Sequence, residues 1–238
     1  MDFQIVVHCN RYGRLLAYQL SSLILHNPEN HNIKYTLFWD RRDGYVRDVV
    51  EYFSPILSSN GITFDSQNQG IGLLRNRGYG RNLAAKSNTA DWVWFADCDY
   101  TFNTPVWYDL ERGSNENPGA RFIKPRYVRE TSWEKGDELI QQMDELAVRQ
   151  SPVMSVALEY KPIAIGGIQI AFGETLRSCG YCPWIKPRRK RNWDFRSDIY
   201  FRKQPEMQNV AEVNLDGLVR IRHTNKGYGQ RNAHKVVN

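Results

Sequence analysis

The chain has 238 residues, 41% of them hydrophobic and 24% charged, with a formal net charge of +6. That length suits one large domain or two small ones. The hydrophobic share excludes wholesale disorder, and no apolar run approaches the roughly 20 residues that a bilayer-spanning helix needs.

Met1-Asp2-Phe3-Gln4-Ile5-Val6-Val7 sets an acid, and no basic region, ahead of a short apolar run. It reads as a first strand over 3–9 rather than a signal peptide, and an intracellular, cytoplasmic protein is expected. A helix is predicted over 11–26, with Leu15, Leu16, Leu20, Leu23 and Ile24 at helical spacing. A turn cluster at 27–32 precedes a second strand over 33–39, which ends at Asp40. A helix over 44–57 carries Val46, Val49, Val50 and Phe53 on one face. A short strand at 61–64, a Gly- and Arg-rich loop at 66–80 and a helix at 81–89 lead to a strand at 91–97. Strands alternating with helices imply a mostly parallel sheet of βαβ units, an α/β fold.

The second half is less regular. It offers a strand over 120–128, an amphipathic helix over 133–149, and Gly166-Gly167 ahead of a strand-like Ile168–Phe172. A short helix at 174–179, a loop at 180–193, a helix at 194–203 and one or two strands within 210–222 complete it. No long linker separates the halves, so a single domain spanning 1–238 is expected. Cys179-Gly180-Tyr181-Cys182 has CxxC spacing. Without a second pair or a neighbouring His it is a weak zinc signal, and loop thiols are the expectation. Lys186-Pro187-Arg188-Arg189-Lys190-Arg191 holds five cations in six residues, either a solvated loop or a seat for a polyanion.

The stretch that organises the chain is Asp91-Trp92-Val93-Trp94-Phe95-Ala96-Asp97-Cys98-Asp99. It reads as a buried strand that delivers two carboxylates at its C-terminal end, where open α/β sheets bind ligands. Two acids so close need a counter-charge, and oxygen ligands suit Mg²⁺ or Mn²⁺. Gly80-Arg81-Asn82, Ala84-Ala85 and the Asp97-Cys98-Asp99 strand together resemble the central signature of family-two-type glycosyltransferases with the GT-A fold. Gly166-Gly167 is similar to that family's acceptor-loop pair. Ser197-Asp198-Ile199-Tyr200-Phe201-Arg202 is similar to its Glu-Asp helix, with Ser where Glu is usual. His223 stands where many such enzymes place a metal-binding His, and the matches run from about residue 3 to 223. After the first strand, Val7-His8-Cys9-Asn10-Arg11 departs from the family pattern.

The resemblance implies a Rossmann-like GT-A domain with a nucleotide-sugar half (1–103) and an acceptor half (104–238). It implies a metal-dependent, inverting sugar transfer from a UDP- or GDP-sugar, with Mn²⁺ or Mg²⁺ held by Asp97, Asp99 and His223. Asp40, Arg75, Arg77, Arg81 and Asp97 are expected to contact the donor, since arginine forks suit phosphate. Asp198 is the candidate general base, with Asp194 in reserve one helical turn earlier. Gly166, Gly167, Trp184, Arg188, Arg189, Arg191 and Trp193 are expected at the acceptor. That acceptor is a glycan or lipid-linked glycan. The alternative is a hydroxymethylated base in DNA, as acted on by viral or phage enzymes in a host cytoplasm. A third possibility is a non-catalytic nucleic-acid- or sugar-binding module on the same scaffold.

Overall fold

The computed structural model describes residues 1–143, 145–150, 156–159, 167–189 and 196–224. Gly166, Arg191, Trp193 and Asp194 therefore lie outside the described residues. The first half runs β1 (Asp2–His8), α1 (Gly13–Leu25), β2 (Asn32–Trp39), α2 (Gly44–Ser59), β3 (Thr63–Asn68), α3 (Gly70–Leu74), α4 (Arg77–Ser87) and β4 (Trp92–Ala96). β1 pairs in parallel with β2, Phe3 opposite Ile33, and with β4, Phe3 opposite Trp92. β3 extends the parallel set beyond β2.

β4 reads as an unbroken apolar run, and β1 and β2 are largely buried, because the sheet is covered on both faces there, whereas edge strand β3 is polar and half-exposed. Ile5, Val7, Trp94 and Ala96 pack into one core with Leu16, Leu20, Val49 and Phe53 of α1 and α2. Their alternating neighbours Val6, Val93 and Phe95 face a second core with Ala84, Ala85, Leu176 and Phe201. α2 is amphipathic, burying Val46, Val49, Val50, Phe53 and Leu57, and the Asp43 side chain caps its N-terminus by accepting from Val46 N.

The second half adds β5 (Tyr100–Phe102), α5 (Pro105–Glu116), β6 (Phe122–Pro125), β7 (Tyr127–Glu130), α6 (Trp133–Gln142), β8 (Val156–Glu159), β9 (Ile168–Phe172), α7 (Gly173–Cys179), α8 (Arg196–Arg202), β10 (Val210–Val213) and β11 (Leu218–Arg220). The main sheet has the order β10-β6-β9-β4-β1-β2-β3, with β9 antiparallel to both β4 and β6. A smaller sheet, β5-β11-β7-β8, stands beside it. The strand order reverses between β1 and β4. That reversal leaves a crevice beyond their C-terminal ends, the usual ligand position in open α/β sheets.

Four expectations need correction. The single strand expected over 120–128 is two strands, β6 and β7, in different sheets. The loop expected at 66–80 is mostly regular structure: β3 runs on to Asn68, α3 follows, and α4 begins four residues early at Arg77. The helix expected over 133–149 stops at Gln142. The stretch 105–116, for which no element was expected, is α5, which buries Val106, Trp107 and Leu110. Among the described residues no helix is long and apolar enough to cross a membrane.

Candidate active site

At the crevice between β1 and β4 lies a cavity of about 260 Å³ lined by His8, Tyr12, Arg77, Asp97, Cys98, Asp99, Arg220 and His223. Asp97 and Asp99 leave the end of β4 into the same space. Each already has an arginine as counter-charge. Asp97 Oδ1 accepts from Arg77 Nη1 at 2.9 Å and lies 3.5 Å from Arg81 Nη2. Asp99 Oδ2 accepts from Arg220 Nε at 2.9 Å. The counter-charge that two neighbouring acids need is thus met, in the ion-free protein, by arginine. Arg77, Arg81 and Arg220 neutralise them.

The two acids nonetheless differ. The other oxygen of Asp99, Oδ1, is buried and has no hydrogen-bond partner among the described residues. Burial pushes its carboxyl above the ordinary range; Arg220 opposes that shift and Asp97 adds to it. His223 bears on Asp99 electrostatically and meets the Tyr12 ring edge-on at 5.4 Å. No group of three or more His, Cys, Asp or Glu among the described residues is arranged to hold a metal by itself. A cation at Asp99, Asp97 and His223 would need a substrate's phosphate oxygens to complete its shell. That is how Mg²⁺-type ions are commonly held, and the orphaned Asp99 oxygen fits such a guest.

Beneath Asp97 lies a closed network. Asp198, on α8, accepts from Arg81 Nη1 at 2.9 Å, from Tyr181 Oη at 2.7 Å and from Arg77 Nη2. Arg81 is wholly buried and also donates to Tyr181 Oη and Gln169 Oε1. Burial disfavours the charge of Asp198, yet Arg81, Arg77 and the Tyr181 hydroxyl hold its carboxyl below the usual range. Of the expected donor arginines, Arg77 alone lines this cavity; Arg81 lies under it. Arg75 follows α3 and lines neither cavity described here.

The early start of α4 explains that placement. Gly78 and Gly80, expected within the Gly- and Arg-rich loop, are inside the helix. The space a side chain would fill at Gly78 is taken by Ile185 and Ser197, and at Gly80 by the His8 ring. His8 is buried, rests on Phe38 at 4.7 Å, and has neither ring nitrogen hydrogen-bonded among the described residues. Burial and the cations Arg81 and Arg77 press its pKa well below the ordinary histidine value. Gly167 leaves no room for a side chain, because a Cβ there would lie 2.8 Å from Asp97 Oδ2.

A second cavity of about 580 Å³ opens beyond β2 and β3, lined by Asp40, Arg41, Arg42, Asn68, Gln69, Gly70, Ile71, Gly72, Leu73 and Arg189. Asp40 is gripped by Arg42, whose Nη2 donates to Oδ2 at 2.6 Å. Arg189, expected on the acceptor side, instead shares this cavity with Asp40. Trp184 is 56% exposed and stands edge-on to the exposed ring of Tyr200 at 6.1 Å, next to exposed Lys186 and Arg188. Cys179 and Cys182 are free thiols bonded to the backbone oxygens of Gly180 and Ser197. Arg220, Tyr181, Gln169 and His8 escaped sequence reasoning. Arg220 and His8 are single polar residues at strand ends, a position that by itself hints at a crevice.

No family model matches the chain, and no curated protein does. Solved structures do. Residues 1–349 of S. aureus TarS in complex with UDP-GlcNAc superpose with a TM-score of 0.61 at 14% identity, over 92% of this chain and 58% of that one. The mannosyltransferase PcManGT from Pyrobaculum calidifontis, in complex with GDP-Man and Mn²⁺, superposes with a TM-score of 0.57 at 13% identity, over 97% of this chain and 59% of that one. The chain thus spans about three fifths of the length of these relatives. At that identity the likeness is one of fold: a mostly parallel, helix-flanked sheet shared with these two proteins.

Proposed function

We propose that the protein is a GT-A-type glycosyltransferase that moves a sugar from a UDP- or GDP-sugar to the hydroxyl of a glycan or lipid-linked glycan. The observation that carries this reading is that Asp99, one of whose oxygens is buried without a hydrogen-bond partner among the described residues, lines a cavity together with Asp97, Arg77, Arg220 and His223. Carboxylate and arginine forks together suit a diphosphate with its cation. Asp99, Asp97 and His223 would hold Mn²⁺ or Mg²⁺, and the ion, when bound, would stabilise the charge of the departing diphosphate. Arg77 receives a phosphate oxygen. Drawing Arg77 toward phosphate loosens its hold on Asp198 Oδ2, so donor binding frees the carboxylate that takes the proton of the acceptor hydroxyl. Arg81 and Tyr181 keep Asp198 in place meanwhile. The larger cavity beyond β2 and β3, with Asp40 and Arg189, seats the nucleoside.

The test is release of free nucleotide from a panel of UDP- and GDP-sugars with Mn²⁺. Turnover that falls at least 100-fold in Asp99→Ala, with thermal stability kept, supports the reading. Turnover indifferent to Asp99→Ala, or none with any donor and acceptor, removes it. A second reading, transfer to a hydroxymethylated base in DNA, is favoured by exposed Trp184 and Tyr200 beside Lys186 and Arg188. Its mark is acceptor binding that weakens steeply with salt.

A further inference from the structure

The cavity has a balanced charge before any ligand enters. Two acids, Asp97 and Asp99, and two arginines paired with them, Arg77 and Arg220, line it. A diphosphate alone would leave it too negative and a divalent cation alone too positive. The two entering together disturb it least.

Arg220 is placed to mediate that exchange. It sits on β11, which pairs with β5 so that Arg220 is opposite Tyr100, and Ile221 N donates to the Asp99 carbonyl at 2.7 Å. The strand is thereby fixed against the acid, while the side chain stays about one-third exposed. Its guanidinium spans two carboxylates: Nε donates to Asp99 Oδ2 at 2.9 Å and Nη1 to Glu130 Oε1 at 3.2 Å. Arg222 approaches the other Glu130 oxygen at 3.4 Å and anchors that acid in turn. An arginine and a divalent cation on one carboxylate repel each other, so a cation at Asp99 must displace Arg220 or bind weakly.

We propose that Arg220 is a displaceable internal counter-ion. It neutralises Asp99 in the ion-free protein and lowers that acid's affinity for a divalent cation. Once released, it stays with Glu130 at the cavity wall and receives a phosphate oxygen of the donor. Arg220 thereby couples cation binding to nucleotide binding. This rests on the reading of Asp99 as a cation ligand.

The probe is Mn²⁺, titrated into the full chain with free ion followed by electron paramagnetic resonance, alone and with saturating UDP or GDP. Asp99→Asn serves as control. In Arg220→Gln, Mn²⁺ alone should bind about tenfold tighter than in wild type, and added nucleoside diphosphate should tighten it far less than it does in wild type. Glu130→Gln, which removes the alternative partner and leaves Arg220 to Asp99, should shift Mn²⁺ affinity the other way. It also serves as the informative variant if Arg220→Gln does not fold. Asp99-dependent Mn²⁺ binding that neither substitution changes overturns the role of Arg220 and leaves the cation reading standing. No Asp99-dependent binding in wild type, with or without nucleotide, removes the cation reading and this proposal with it.

Discussion

Below the mouth of β4, Asp198 accepts from Arg77, Arg81 and Tyr181. At the rim, Asp99 accepts from Arg220 and keeps its second oxygen unused among the described residues. Both acids are buried and both face arginine, yet one is held below the usual carboxylate range and the other above it. Burial raises both; for Asp198 three donors outweigh it, whereas Asp99 has one arginine and the like charge of Asp97 beside it. A carboxylate supplied with donors on both oxygens is a closed joint, and the proposed base role of Asp198 requires Arg77 to open it. One that lines a cavity and keeps a buried oxygen without a partner retains capacity for a guest, because an unmet buried acceptor is costly to leave so. Of the arginines, Arg81 is wholly enclosed and belongs to the joint, whereas Arg77 touches both networks.

Cutting the joint should give the largest effect. Arg81→Met leaves Asp198 and Asp97 without their shared buried partner, and removing one member of such a pair costs about 3–5 kcal/mol. The expected result is a large drop in the denaturant midpoint. Arg77→Met, which removes a side chain open to the cavity, should lose less stability and more nucleotide affinity. Equal losses from the two would erase the distinction between joint and rim.

Gly167 lies where the networks meet. In Gly167→Ala the new methyl group would lie 2.8 Å from both Asp97 Oδ2 and the Tyr100 ring. Overpacking of that kind costs about 1–3 kcal/mol. Asp97 should be pushed off line with Arg77, weakening nucleotide binding by calorimetry while Arg81–Asp198 persists. An unchanged nucleotide affinity would detach Asp97 from the rim.

Much of this was legible in the chain. The apolar run before Asp97 announced a buried central strand, and the alternation up to it announced the parallel sheet. The arginines were harder. With α4 taken to begin at Arg81, that residue read as the opening of a helix facing an anion. The helix in fact begins one turn earlier, so Arg81 is carried inward and Arg77 takes the cavity wall. Gly78 and Gly80 misled for the same reason. They serve close packing against Ser197 and His8, a long-range demand that local spacing does not reveal. Arg220 joins the site through the pairing of β5 with β11, residues about 120 apart in sequence, as its bond to Asp99 shows. No local pattern encodes such a contact.

The smallest effect concerns His8, which borders both regions and bonds to neither among the described residues. Its folded pKa lies well below 6.5, whereas the unfolded chain binds a proton near the ordinary value. Below about pH 6.5 the unfolded state therefore holds more protons than the native one, and stability falls as pH falls. One such group contributes a slope of at most about 1.4 kcal/mol per pH unit. His26 and His31 are also shifted downward by burial, so wild type alone does not isolate the effect. Urea unfolding at pH 7.5 and 5.5 should show His8→Leu losing less stability over that interval than wild type. An identical loss in both proteins would mean that His8 takes up its proton in the folded state, adding a third cation beside Arg77 and Arg81 at the cavity floor.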